Sequence, residues 1–469
     1  MSRLNRRQFL RLSGTVALGA LAAACAPSAP AAPEAPEAPA AEQPAAAPQP
    51  AAAAAQKMVF WPEWGGKDAD ALKVQVDKFT EQTGIAVDFL PVRDHTRMVA
   101  SMGAGEPPDL LMTWDAAAVG SWGFAGALLD LQPYIDANQF DLNALVPIGV
   151  ASGNLMGIKQ IGLPLTNYLT SVLYYNRDAL ARGGFDPDTP PETWEQVRAY
   201  HDKITVVEGN EIKKWGYMIL TGQDGHPLTM AYAFGGTIYS DDYKTVTPDS
   251  PENLAALTWM QKFYLDYGVD QIRTWTSSMN MAADSPINPL YSGDGGMQLS
   301  GEWMPSFFDT LMKSDPNLKI NVGAAYLPYP EAKPEVKGTM TANSNPMVIP
   351  SKAKNPDAAW KFIEFITIPE NSAEMCQIVG NASPSKKGVE LQAAATQNAM
   401  YKWLLEEVWT KANVKPMTIN SPVGKLYMDV FARERDLVMQ EGKDPAEAMR
   451  TVKEEVQPEL DAALEELGL

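Results

Sequence analysis

Cysteine is almost missing from this chain. Two occur in 469 residues, too few for a disulfide framework. Histidine is as scarce: His95, His201 and His226 are the only three, and no two have the spacing of metal ligands. No metal and no cofactor is therefore expected, and each His reads as a surface or satisfied core residue before a catalyst. Positive charge is in deficit, with 38 Lys and Arg against 57 Asp and Glu and a net charge of −19. Holding a phosphate backbone takes clustered positive charge, so nucleic acid is not an expected partner. No apolar run approaches the ~20 residues of a membrane-spanning helix. No repeat is visible. The G-x-S-x-G, H-E-x-x-H and G-x-x-x-x-G-K-[ST] patterns are absent. Gly293-Asp294-Gly295-Gly296 begins a dinucleotide pattern that Gln298 breaks. Cys376 lies in an apolar helical stretch and reads as a small buried hydrophobe. The paired carboxylates of a glycan hydrolase need only a separation, not a motif, so that enzyme class stays open.

What is present is ordinary globular composition, 45% hydrophobic and 20% charged, in a chain long enough for about two to four structural units. The N-terminus is different. Four Arg and no acid lie in residues 1–24, and an apolar stretch runs from Leu12 to Ala24 before Cys25. A basic start, a short apolar middle and a small-residue end describe a secretory signal peptide. Arg6-Arg7-Gln8-Phe9-Leu10 is similar to a twin-arginine signal, with Asn5 where Ser or Thr is usual. Cys25 stands where a lipoprotein signal places its acylated cysteine, so residues 1–25 are expected to export and anchor the chain. Residues 26–56 hold 16 Ala and 8 Pro among 31. Such a composition builds no core and favours an extended tether of at most about 100 Å.

From Lys57 the pattern becomes globular. Met58–Trp61 reads as a strand. Leu72, Val76 and Phe79 recur at helical spacing, with Gly84 as a C-terminal cap. Ile85–Leu90 and Asp109–Thr113 read as the next strands. That order predicts a mostly parallel sheet in an α/β domain. A second set begins near Leu169–Tyr175, followed by a helix announced by the capping-box spacing Thr193-Trp194-Glu195-Gln196 and a strand over Trp215–Leu220. Asn355-Pro356 reads as a cap and first helical residue. The last 75 or so residues read as helices, broken at Gly442–Pro445.

Aromatic residues fall at strand ends: Trp61 and Trp64 after the first strand, Trp114 after the third. Open α/β sheets bind ligands beyond the carboxyl ends of their strands. Trp61-Pro62-Glu63-Trp64 and Trp114-Asp115 each pair an aromatic face with a carboxylate. The first can cover the C–H face of a sugar ring and the second can bond its hydroxyls. Any one of these Trp read alone is more simply a core residue, and the pattern at two successive strand ends is what points to a site.

Five segments together resemble a known family. Phe79–Val87 (FTEQTGIAV), Gly105–Leu110 (GEPPDL) with Gly126–Leu131, Leu163–Arg177 with Thr193-Trp194, Gly296–Trp303 (GMQLSGEW), and Asn355–Ile363 (NPDAAWKFI) occur in family order. They are similar to the motifs of the extracellular solute-binding proteins of ABC importers, the group that includes maltose-binding protein. The resemblance implies a two-lobed α/β fold of the periplasmic-binding-protein type II, with the ligand cleft between lobes joined by a hinge. It implies lobe 1 at 57–164 plus 338–385 and lobe 2 at 165–337 plus 386–469, with Leu163–Thr166 as one crossing. Trp303, in the family's G-x-W, stands where several members stack a Trp on sugar. Asn167 and Tyr168 follow the crossing, and Asn343 lies in a loop that is Gly-rich in many relatives. Trp275 and Tyr427 complete the candidate site. The implied function is delivery of a sugar or oligosaccharide to an ABC permease by a lipid-anchored, extracytoplasmic monomer with no catalysis. A polyamine, peptide or metal chelate in the same cleft is the alternative, and a glycan-active enzyme the more distant one. A phosphorylated ligand would need a basic cleft, and the sequence shows no Lys/Arg cluster near the candidate residues.

Overall fold

The computed structural model describes residues 57–418 and 420–469. The signal peptide, Cys25 and the Ala/Pro-rich tether lie outside the described residues. Among the described residues thirteen strands appear in chain order. They are β1 (Lys57–Pro62), β2 (Ala86–Phe89), β3 (Leu110–Met112), the two-residue β4 (Asn154–Leu155) and β5 (Lys159–Gln160), β6 (Leu163–Leu169) and β7 (Val172–Asn176). Then come β8 (Val206–Glu208), β9 (Glu211–Tyr217), β10 (Gly295–Ser300), β11 (Val322–Ala325), β12 (Thr339–Val348) and β13 (Asn413–Pro416).

The first sheet runs β13-β12-β3-β1-β2, with β6 also paired to β12. β1 is parallel to both β2 and β3, as the strand–helix–strand order predicts. The helix Gly66–Thr83 joins β1 to β2. It buries Leu72, Val76 and Phe79, the helical spacing seen in the sequence. It ends at Gly84, whose φ of 72° closes the last turn in the left-handed conformation. Phe79 meets Phe362 of the helix Pro356–Thr367 at 5.3 Å between centroids, edge to face, a pair worth about 0.5–1.5 kcal/mol beyond its area.

The second sheet, β11-β7-β10-β9-β8, is built differently from the first. β7 is antiparallel to both β10 and β11, and β8 to β9; only β9–β10 is parallel. A parallel neighbour needs a crossover of a dozen or more residues, and β8 and β9 are joined by two. Three expectations change. The C-terminal region is not wholly helical, because β13 pairs in parallel with β12; its helical part includes a π-helical turn at Leu404–Val408. Asn355 precedes its helix but makes no side-chain cap. It turns instead to buried Asp109, whose carboxylate accepts from Asn355 N at 2.7 Å, Asn355 Nδ2 at 3.3 Å and Val59 N at 2.8 Å. The capping box is also altered: Thr193 Oγ1 accepts from Gln196 N, but the Gln196 side chain returns to Glu192 N.

The apolar interior has two principal clusters. One gathers residues from Met58 to Leu165 and from Met347 to Val379. The other gathers Leu169 to Ala342 and Ala382 to Leu464. The chain therefore changes core within β6, within β12 and across Val379–Ala382. Those three segments bond to one another. β6 and β12 pair antiparallel, and Asn167 and Ala382 exchange two backbone hydrogen bonds of 2.8 Å.

Candidate functional site

Between the two cores lies a cleft of about 510 Å³. Hollows of 400–460 Å³ occur elsewhere on the surface. This one is lined by both cores and by all three crossing segments, and it opens beyond the carboxyl ends of β1 and β3, where a ligand is expected in an open α/β sheet.

One wall comes from the first core. The loop after β1 supplies Trp64 and Gly65, and the start of the helix Gly66–Thr83 supplies Lys67 and Asp68. Gly65 provides no side-chain cap, so the first amides of that helix carry their partial positive charge toward the cleft. Trp114, after β3, is 42% exposed. Arg93 holds its guanidinium 5.5 Å from the Trp114 ring centroid. The opposite wall is Trp303, Phe307 and Asp284. Trp303 meets Tyr168 edge to face at 5.7 Å. Gly301 makes this placement possible: a Cβ there would sit 2.0 Å from the Trp303 ring, so any other residue would expel the indole. The floor is a side-chain knot of the crossing segments. Thr166 Oγ1 donates to Asn345 Oδ1 at 2.7 Å and accepts from Asn381 Nδ2 at 3.1 Å.

The electrostatics are mixed. Burial raises the Asp68 carboxyl to about 6, against the lowering pull of Lys67. One Asp68 oxygen has no hydrogen-bond partner, an acceptor left open beside the cleft. Burial lowers Lys67, whose ammonium reaches across to Ser306 Oγ at 2.9 Å and lies 4.4 Å from the Phe307 centroid. Burial, helped by Asp115 and Glu63, raises the Tyr168 hydroxyl well above the ordinary phenol range, so it remains a donor at neutral pH.

Of the residues picked from sequence, Trp64, Trp114, Tyr168 and Trp303 line the cleft. The others do not, for identifiable reasons. Glu63 is buried and turned inward, accepting from Thr113 Oγ1 at 2.5 Å and Trp114 N at 3.1 Å. It fixes the loop that carries Trp114. His95 lies 3.4 Å from Glu63 and 3.8 Å from Asp115, and its hydrogen bond to Glu63 raises its pKa. Asp115 caps the helix Ala116–Phe124 through Ala118 N at 3.0 Å. Trp61 packs under Arg97 at 4.8 Å. Asn167 sits one residue from Tyr168 on β6, and successive side chains face opposite ways. Its amide donates to Ser383 O at 3.1 Å behind the floor. Asn343 bonds Ser344 N and Thr418 Oγ1. Trp275 and Tyr427 are 3% and 1% exposed within the second core.

Sequence reading missed Lys67, Asp68, Arg93, Asp284, Phe307, Asn345 and Asn381. The basic pair corrects the expectation of a cleft without Lys or Arg. Asn345 was within reach, two residues from Asn343 in a segment expected as a loop, which is instead part of strand β12 paired with β6. Nothing in the sequence alone marks Asn381.

The family described as bacterial extracellular solute-binding protein matches residues 63–373. The sn-glycerol-3-phosphate-binding periplasmic protein UgpB of Shigella flexneri is 26% identical over 264 residues, 54% of this chain and 56% of that protein. The matched region thus spans little more than half of that relative's length. The UgpB of Pectobacterium atrosepticum is 24% identical over 348 residues, 70% of this chain and 73% of the relative. The solved structure of CpMnBP1 with mannotriose bound superposes with a TM-score of 0.74 at 22% identity, covering 86% of this chain and all of that one. The two-lobed α/β fold with an intervening cleft, expected from the sequence, is the fold these proteins share.

Proposed function

This chain belongs to the bacterial extracellular solute-binding protein family, and on that footing we propose that it captures a saccharide between its lobes and delivers it to an ABC permease, with no covalent chemistry. One observation carries the saccharide reading. Aromatic faces from both lobes, Trp64 and Trp114 on one side and Trp303 on the other, enclose a cleft whose lining holds two acids and two bases. Aromatic faces cover the apolar C–H surfaces of a neutral sugar, and Asp68, Asn381 and Tyr168 offer partners for its hydroxyls. Closure of the lobes around ligand, a hinge motion, would complete the stacking.

A second reading has its own observation. Lys67 and Arg93 share one wall with uncapped helix amides, a combination that attracts phosphate. It favours a phosphorylated polyol of the kind named for the UgpB relatives. The family places the protein outside the cytoplasm, and no helix among the described residues is long and apolar enough to cross a membrane. We assign the anchor to Cys25, with export by the signal in residues 1–24 through the twin-arginine route. Mass spectrometry of the exported chain would show the acylated Cys25, and light scattering a monomer.

The test is thermal melting of the full-length chain against mannotriose, maltose, other oligosaccharides, sn-glycerol 3-phosphate, polyamines and peptides. A ligand at 100 times its Kd stabilises by about 2.7 kcal/mol, visible as a shift of a few degrees. A shift with a sugar class supports the first reading. A shift with sn-glycerol 3-phosphate alone supports the second. A shift with amines or peptides alone removes both.

A further inference from the structure

Glu302 stands beside the stacking Trp303, yet its carboxyl points away from the cleft into the junction of the crossing segments. It is fully buried. One oxygen accepts from Ala382 N at 2.5 Å, on the segment that also supplies Asn381 to the cleft floor. The other accepts from Trp409 Nε1 at 2.7 Å. Its own amide donates to Leu169 O at 3.0 Å, at the end of β6. One side chain thus ties the strand leading to Trp303, the Val379–Ala382 crossing and the C-terminal region, at the point where the two cores meet. Trp409 is presented by the turn after the π-helical Leu404–Val408, an arrangement that often marks a functional position.

Among the described residues, groups that could share its charge are lacking. Tyr174 of β7 faces it, as do Tyr401 from the helix Ala399–Trp403 and Cys376 from the helix Pro369–Val379. Burial pushes all three upward, so they stay neutral. Glu406 and Glu407 on the π turn pair outward with Lys402 and Lys411. No cation among the described residues contributes to the state of Glu302. Burial raises it to about 8, against the hydrogen bonds from the backbone of Leu169 and Ala382 and from the Trp409 indole. A buried carboxylate without a cation is costly, and the cost falls when water reaches it.

We infer that Glu302 is a positioning residue whose two accepted hydrogen bonds hold the crossing segments together while its carboxyl is neutral, and that a charge on this buried group opens the lobes and withdraws Trp303 and Asn381 from the ligand. The inference rests on the reading of the cleft as the solute site. Opening is what lets water reach the junction, so the open form favours the carboxylate and the closed form favours the acid. A difference of one pKa unit between the two forms makes ligand affinity fall about tenfold once Glu302 is ionised.

The experiment uses the full-length chain between pH 6 and 9.5 with three readouts. These are the ¹⁵N–¹H shift of the Trp409 indole, small-angle scattering without ligand, and Kd for mannotriose and sn-glycerol 3-phosphate. The expected result is one inflection near pH 8 in the indole shift and in the scattering, with a matching weakening of whichever probe binds. Glu302→Gln should flatten the scattering and affinity profiles. Trp409→Phe removes a bond that favours the charged form and should move the inflection to higher pH, so the test survives if the Gln variant does not fold. An indole that does not titrate, a step that persists in Glu302→Gln, or an inflection that Trp409→Phe leaves in place overturns the proposal. If neither probe binds at any pH, the cleft reading loses these ligands, while the scattering and indole profiles still decide the part played by Glu302.

Discussion

The two walls of the cleft are built by different means. The wall of the first core is charged and stands on backbone ends: an uncapped helix start with Lys67 and Asp68, and two post-strand loops carrying Trp64 and Trp114. The wall of the second core is aromatic, with Trp303 and Phe307 presented by the turn before and the first turn of the helix Met304–Ser314. One wall can choose a ligand by its charge and hydroxyls. The other supplies aromatic area with a single carboxylate, Asp284. If this division holds, substitutions on the aromatic wall lower affinity for every ligand that binds, and substitutions on the charged wall change which ligand is preferred.

The largest effect is expected at Trp303. Centrally placed aromatic anchors cost about 2 kcal/mol or more on truncation, so Trp303→Ala should weaken the best ligand about thirtyfold or more by titration calorimetry. Trp275→Ala is the contrast. Trp275 lies in the second core at 3% exposure, and losing a buried Trp costs about 3–5 kcal/mol of stability. Chemical denaturation should show that loss with little change in Kd for the folded fraction. A Trp275 variant that binds poorly while folding normally would mean that the aromatic wall extends beyond the cleft described.

That contrast also marks how far the sequence could be read. Trp64, Trp114 and Trp303 were legible because each stands at a strand end or in a glycine-bearing motif, where local pattern and topology agree. Trp275 and Tyr427 carry the same chemistry on helices, where a buried face and a ligand-facing one look alike in one dimension. Asn167 and Tyr168 show the limit within a single strand. The crossing was legible, but the pleat sends one side chain to the cleft and its neighbour behind it. Strand direction in the second sheet was not legible, because β7 runs antiparallel to two strands more than a hundred residues further along the chain. The floor of Thr166, Asn345 and Asn381 joins residues up to 215 apart in sequence, and no local signal reports such a meeting.

The next effect belongs to Asp68. Its open oxygen would accept a ligand hydroxyl, and hydrogen bonds to charged groups contribute about 1.5–3 kcal/mol. Asp68→Asn should therefore weaken a neutral saccharide about tenfold or more. Burial raises this carboxyl to about 6, so wild-type affinity for a sugar should decline as pH falls through that value and the acceptor is protonated. The Asn variant should show no such step. The same shift bears on folding. The folded form holds its proton more tightly than the unfolded chain, so the Asp68 contribution is fully present below the ordinary Asp range and is lost as pH rises through about 6. A sugar affinity that is flat from pH 5 to 7.5 in the wild type would remove Asp68 from the ligand contacts.

The smallest effect, and the one that best separates the two ligand readings, is expected at Arg93. Its guanidinium lies over the exposed Trp114 ring and makes no ion pair among the described residues. For a neutral sugar, Arg93→Ala removes a group that competes for the ring face, and Kd should change by no more than about fivefold, since an exposed cation–π contact is worth only about 0.5–1 kcal/mol. For a phosphorylated ligand the same change deletes a charged donor and should weaken binding about tenfold or more. Measuring both ligands on one variant turns the small effect into a decision. Equal, small changes would make the charged wall a support for the Trp114 loop. A loss confined to the phosphorylated ligand would make Arg93 the residue through which this wall selects charge.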